Sequence, residues 1–235
     1  MNAAPQNGIE FSSEMEQSEM LLLEDLLARR RPEVAIEIGT AGGASLAVLA
    51  RHAGIVHSID IDPQVKQRLG ARFANVEFHT GSSREILPKL IVRLQLDDAA
   101  LGFVLIDGDH STEGVRADIN AILCYEPIAE LELWMHDSFH PACREGIRSA
   151  AWQKCPFVHE VELDFHPGVL HDRADIRGQM WGGFARAVLR PQQRTAPLVC
   201  AASEEQRFLT TLASSAHNRA ARPSFLSRIF RSLRG

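Results

Sequence analysis

Ala35-Ile36-Glu37-Ile38-Gly39-Thr40-Ala41-Gly42-Gly43-Ala44-Ser45 runs from an apolar segment, through a glycine-rich turn, into a segment of helical composition. A buried strand, a tight turn and the start of a helix are the parts of a ligand-binding strand end in an open α/β sheet. Gly39 and Gly43 let the backbone approach a ligand closely, Thr40 and Ser45 add hydroxyls to the turn, and helix amides from about Ala44 supply donors.

Outward from this stretch, short apolar runs alternate with helical patterns. Val34 to Ile38, Ile55 to Ile59, Val76 to Phe78, Phe103 to Ile106 and Leu131 to Met135 read as strands without polar alternation, as in a parallel sheet covered on both faces. Residues 45–52, 63–74, 83–95 and 113–124 read as the helices between them. The expected fold is α/β, a doubly wound, mostly parallel sheet. A late pair, 158–163 and 184–189, is expected to form an antiparallel edge. Leu22, Leu23, Leu26 and Leu27, with Glu19, Glu24 and Asp25 between them, predict an amphipathic helix from about Ser18 to Arg31.

The 235 residues suffice for one substantial core, and the expected organisation is a flexible leader over 1–17, a domain over 18–190 and a tail over 191–235. A net charge of -5 gives no global attraction to nucleic acid. Cys124, Cys143, Cys155 and Cys200 show no C-x-x-C spacing, and no signal-like stretch or membrane-length apolar run occurs, so a cytoplasmic setting is expected. In the tail, Arg219, Arg222, Arg228, Arg231 and Arg234 flank Phe225, Leu226, Ile229, Phe230 and Leu233 at helical spacing. This basic amphipathic helix would rest on an anionic membrane surface, dock on a partner subunit, pack on its own domain or stay disordered.

The same turn resembles a dinucleotide fingerprint, but the spacing puts Ala41 and Ala44 at the second and third glycine positions. Glu37 would also set a carboxylate near a pyrophosphate, which disfavours a nicotinamide-dependent oxidoreductase. A carboxylate at that place suits a cationic ligand such as S-adenosylmethionine. Asp60, closing the second strand in Ser58-Ile59-Asp60-Ile61-Asp62-Pro63, is placed either to accept the ribose hydroxyls or to cap the next helix, with Asp62 the better cap. Ser82, in Gly81-Ser82-Ser83, is either a cap or a contact to the adenine.

Together with Asp107-Gly108-Asp109-His110-Ser111-Thr112-Glu113-Gly114-Val115-Arg116-Ala117-Asp118 and His136-Asp137-Ser138-Phe139, these motifs resemble the class I S-adenosylmethionine-dependent methyltransferases. The resemblance is closest to the small group related to cephalosporin hydroxylase-like and macrocin-type O-methyltransferases. It implies a seven-stranded sheet whose last strand is antiparallel, methylation of a hydroxyl on a small molecule or sugar, and cofactor contacts from Glu37, Gly39, Thr40, Gly43, Ser45, Asp60, Ser82 and Asp107. It also implies a divalent cation, magnesium or another, held by Asp107, Asp137 and His136. The alternative for the two aspartates is hydrogen bonding to loop amides. His110, three residues after Asp107, stands where relatives carry a general base, with a substrate-positioning role as its rival. A cofactor-binding protein without catalysis, acting as a partner or sensor, is the remaining reading; separately, a homo-oligomer is among the expected assemblies. Trp134 and Trp181 are expected in the core or at the rim, and Asp109, His140 and His166 either line the same opening or stand in solvent.

Overall fold

The computed structural model describes residues 11–220, with side chains to 218. In chain order the elements are α1 (Gln17–Arg30), β1 (Val34–Ile38), α2 (Ala44–His52), β2 (Ile55–Asp60), α3 (Pro63–Leu69), β3 (Val76–Thr80) and α4 (Ser83–Leu96). There follow β4 (Leu101–Ile106), α5 (Thr112–Ile122), β5 (Leu131–His136), α6 (Pro141–Arg148), β6 (Val158–His166), β7 (Val169–Leu170) and β8 (Met180–Trp181). The chain then runs through β9 (Phe184–Leu189), β10 (Cys200–Ala201), α7 (Glu205–Ser214) and α8 (Ala216–Ala220).

One eight-stranded sheet has the order β10-β6-β9-β5-β4-β1-β2-β3, and β7 pairs only with β8. Strands β1 to β5 run parallel, while β9 lies antiparallel between β5 and β6. The expected seven strands with an antiparallel β9 are therefore present, corrected by the two-residue β10, which adds parallel to β6. The late pair is not simply an edge: β9 is interior, hydrogen-bonded on both sides.

Alternation along the strands divides the core between two faces. Val34, Ile36 and Ile38 of β1 pack with Leu87, Leu90 and Leu94 of α4 and with Ile119 of α5. Ala35 of β1, Phe103 and Leu105 of β4 and Trp134 of β5 face the opposite way, against Leu23 and Leu27 of α1 and Leu46 and Leu49 of α2. Trp134 is fully buried there, among Phe103, Phe165 and Phe184.

Both expected outer boundaries move. Residues 11–17 are not a loose leader: Ser12 bridges to Gly43, Phe11 stacks on Phe73, and Met15 is buried. Nor does packing stop at 190. Arg144 of α6 and Asp164 of β6, each 3% exposed, pair at 2.7 Å, and Arg144 also holds Glu205 at the start of α7. Leu198 and Phe208 are buried too. The polar composition of this segment hides its packing, because few apolar anchors hold it and an ion-pair network supplies the rest. The arginine-flanked stretch expected as a basic helix lies, beyond Asn218, outside the residues whose side chains are described. Among the described residues, no helix is long and apolar enough to cross a membrane.

Breaking a buried ion pair leaves the surviving charge uncompensated. Arg144→Ala should thus lower unfolding free energy by about 3 to 5 kcal/mol, measured by urea denaturation. A loss below about 1 kcal/mol would mean that α7 is not held through this arginine.

Candidate active site

Strand alternation aims the site. Glu37, one residue before the end of β1, points to the α1 and α2 side, and so do Asp107 after β4 and His136 at the end of β5, in step with Leu105 and Trp134. Asp137 breaks the alternation through its left-handed φ of 55°, which turns its carboxylate back toward Asp107.

The turn after β1 is built for close approach. Gly39 has φ of 84°, and a Cβ there would lie 2.0 Å from the Asp107 carbonyl oxygen, so only glycine lets the first and fourth strand ends meet. Gly43, at φ of 81°, starts α2. The Asp60 carboxylate organises this turn from the next strand: Oδ2 accepts from the Thr40 and Ala41 amides at 2.9 and 3.0 Å, and Oδ1 from the Asp62 amide at 2.8 Å. Asp62 caps α3 by accepting from the Gln64 amide at 2.9 Å, as expected.

Two cavities flank the turn. The larger, about 560 Å³, is lined by Thr40, Ser45, Asp107, His110, His136 and Asp137, and roofed by residues 12–16 and Trp181. The smaller, about 400 Å³, holds Asp60, Ser82, Ser83, Asp109 and the other side of Asp107. Gly39, Ala41, Asp107 and His110 border both, so the two form one trough along the strand ends.

Glu37 is fully buried and lines neither cavity. It lies beneath Thr40, whose hydroxyl donates to Glu37 Oε2 at 2.7 Å, and Oε1 has no hydrogen-bond partner among the described residues. Burial raises its pKa to about 7; the Ser45 and Thr40 hydroxyls offset part of this, and the charges of Asp107 and Asp60 add to it.

At the other end of the trough stands a histidine among carboxylates. His136 is 4% exposed, with Nδ1 3.0 Å from Asp107 Oδ1 and 3.6 Å from Asp137 Oδ1, and Nε2 3.2 Å from Glu19 Oε2. Burial opposes its charge, but Asp107, Asp137 and Glu19 outweigh it and hold the imidazolium well above the ordinary histidine value. For Asp107, burial likewise acts upward, yet His136 and His110 bring its carboxyl down to about 2. Asp137 is raised, by burial first and by the charge of Asp107, although it accepts from the Gly182 amide at 2.6 Å. His110 Nε2 lies 3.3 Å from Asp137 Oδ2 and 3.5 Å from Asp107 Oδ1, which raises its pKa.

Sequence reading missed Glu19. It appeared as one of the polar residues between leucines, but Glu19, Leu23 and Leu27 are spaced i, i+4, i+8, and all three are buried. Its oxygens accept from the Glu16 amide at 2.7 Å, forming a capping box, and from the Gly183 amide at 2.5 Å. Of the further candidates for the opening, Asp109 lines the smaller cavity and pairs with Arg84, whereas His140 stacks on Trp181 with ring centroids 4.1 Å apart. Trp181 thus forms a wall of the larger cavity between His140 and His110. Ser82 precedes α4 without a side-chain capping bond, leaving its hydroxyl free of that role.

Residues 36–126 match a family model described as a methyltransferase domain. The match runs from within β1 to just beyond α5, covering the first four strands and the helices α2 to α5. The fold agrees over a longer span: the O-methyltransferase TomG from Streptomyces achromogenes involved in tomaymycin synthesis, solved in complex with S-adenosylmethionine, superposes with a TM-score of 0.55 at 20% identity, covering 76% of this chain and 82% of that one. An O-methyltransferase from Bacillus cereus, in complex with the product S-adenosylhomocysteine, gives 0.55 at 16% identity over 75% and 83%. A cofactor-bound protein from Mycobacterium tuberculosis (MTB), Rv0187, gives 0.53 at 20% identity over 80% and 84%. A comparison with curated proteins found no match. The architecture is the Rossmann-like fold that these methyltransferases share.

Within this network, removing the Glu19 charge should bring the His136 titration down toward its ordinary value of about 6.5. A folded-state pKa raised above the unfolded one gives stability that is whole below about 6.5 and is lost as pH climbs through the raised value. Wild type should therefore exceed Glu19→Gln in stability at pH 6, with the gap narrowing at alkaline pH. Imidazole NMR and denaturation of metal-free protein at several pH values check both points; an unmoved His136 titration would remove Glu19 from the network.

Proposed function

We propose that the chain transfers a methyl group from S-adenosylmethionine to a hydroxyl of a small molecule or sugar at the Asp107 end of the trough. The observation that carries this reading is the continuous trough from Asp60 and Ser82 to Asp107 and His110, running past the Gly39 turn.

The residues present fit the cofactor. Ser82 and Asp60 border the smaller cavity, suited to the adenine and ribose, although Asp60 already accepts three backbone amides and would reach the ribose with its remaining lone pairs. Gly39, Thr40 and Ser45 line the middle, while Gly43 lines neither cavity and acts by starting α2 behind them; a cationic sulfonium and ammonium there are attracted by Asp107 and by the charge of Glu37 from beneath. Glu37 acts there through Thr40, Ser45 or a water rather than by lining the cavity.

Methyl transfer is an in-line displacement in which the oxygen lone pair forms the new bond to carbon while the carbon-sulfur bond breaks. The protein aligns the atoms and removes the hydroxyl proton. His110, 43% exposed and reaching both aspartates, is the group placed to take that proton, and the two carboxylates stabilise the imidazolium that results.

A divalent cation fits the same end. Asp107, His136 and Asp137 bring three ligand atoms within 4.8 Å of one another. Glu19 at Nε2 favours the tautomer whose Nδ1 lone pair faces the two carboxylates, the arrangement common around metal-bound histidines. When bound, the ion would polarise the acceptor hydroxyl and ease its deprotonation. In its absence a proton on His136 takes the corresponding charge.

Two measurements test the reading. Because a bound cation favours ionised Glu37, S-adenosylmethionine affinity by calorimetry should rise between pH 6 and 8 in wild type, across the Glu37 pKa of about 7, and stay flat in Glu37→Gln. Equal profiles would exclude Glu37 from cofactor binding. His110→Ala should cut turnover by about 10² to 10⁴ with cofactor affinity unchanged, and the wild-type rate should climb with pH as His110 loses its proton. Wild-type turnover in His110→Ala, or full activity in excess chelator, would remove the base or the cation respectively.

A further inference from the structure

A second group of ligand-type side chains lies away from the trough, on the two outermost strands at the β3 edge. His57 of β2 is directly opposite Glu77 of β3, and Ile59 is opposite His79. His57, Glu77 and His79 therefore share one face of the sheet, the α4 face to which Ile59 contributes in the core. His57 is buried and Glu77 is half exposed.

The spacing of these atoms is informative. His57 Nδ1 is 3.2 Å from His79 Nε2 and 3.4 Å from Glu77 Oε2, and the three ligand atoms lie within 4.8 Å of one another. Around a tetrahedral zinc with bonds of about 2.0 to 2.1 Å, neighbouring ligand atoms sit about 3.3 Å apart. The rings also meet nitrogen to nitrogen, so at least one of the pair must present a lone pair toward the other.

We infer that His57, Glu77 and His79 form a second divalent-metal site, of zinc-type preference, that clips the edge strand β3 to β2. Two imidazoles and one carboxylate suit zinc, cobalt or nickel better than magnesium, and the exposed side leaves room for a water as fourth ligand. The positive groups around the site oppose it: Arg93 of α4 donates to Glu77 Oε2 at 3.0 Å, and Lys66 of α3 adds its field at His79. A metal must share Glu77 with Arg93 or release it, which makes this a site of moderate affinity. Its place explains a benefit, since β3 leads directly into Thr80, Gly81 and Ser82 at the smaller cavity, and β2 is its hydrogen-bonded neighbour in the large sheet.

The test uses the full, tag-free chain freed of metal with a chelator. To separate this site from the central one, the parent is the Asp107→Asn, Asp137→Asn double variant, titrated with zinc by calorimetry and with cobalt by visible absorption. The parent should take up one zinc, with a tetrahedral cobalt spectrum and a raised Tm on zinc addition. His79→Ala and Glu77→Gln, both at partly exposed positions, should each weaken uptake by at least about tenfold and remove the Tm rise. Arg93→Ala frees Glu77 and should bind at least as tightly as the parent. No zinc uptake by the parent, uptake unchanged in His79→Ala, or weaker binding in Arg93→Ala would overturn the assignment, whatever the outcome at the central site.

Discussion

A buried imidazolium cannot stand without anions around it, and His136 has three: Asp107 and Asp137 on one ring nitrogen and Glu19 on the other. Taking such charges out of water costs several kcal/mol per ion, so the arrangement persists only where geometry and further hydrogen bonds compensate. Those bonds recruit distant parts of the chain. Glu19 accepts from Gly183 and Asp137 from Gly182, which ties α1 and the turn before β9 to the ends of β4 and β5. Four segments far apart in sequence are thereby fixed at one point, and that point is the Asp107 end of the trough.

The same linkage explains the unusual backbone nearby. Asp137 is a non-glycine residue at positive φ, and Gly182 and Gly183 are both at positive φ, so the loop facing the site is held in conformations that an ordinary chain avoids. What holds them is the charge cluster. The segment at residues 12–16 then lies across the opening, with Ser12 bridged to Gly43, and narrows the access of water to the site.

Glu37 illustrates a different use of burial. It contributes no surface to the cavities, yet it braces Thr40 from below, while Asp60 binds the Thr40 and Ala41 amides from the side. The glycine turn is therefore preorganised by two carboxylates, one of them with an oxygen still lacking a donor among the described residues. Preorganisation of this kind lowers the cost of ordering the turn when a ligand arrives.

Much was legible in the sequence because it is local. The apolar runs of β1, β2, β4 and β5 and the glycines at 39 and 43 fix strand, turn and helix within a few residues, and Asp107, His110, His136 and Asp137 follow strand ends that adjacency in a parallel sheet must bring together. Tertiary structure decided what depends on distant partners. Glu19 looks like any surface acid of an amphipathic helix until His136 and Gly183 are set against it, and the polar stretch after Arg190 packs on the sheet because Arg144, paired with Asp164, also holds Glu205 and because Leu198 and Phe208 find buried places. Hydrophobic periodicity reports burial of apolar surface; it carries no signal for charges that are buried in pairs, and those pairs close this fold around its site.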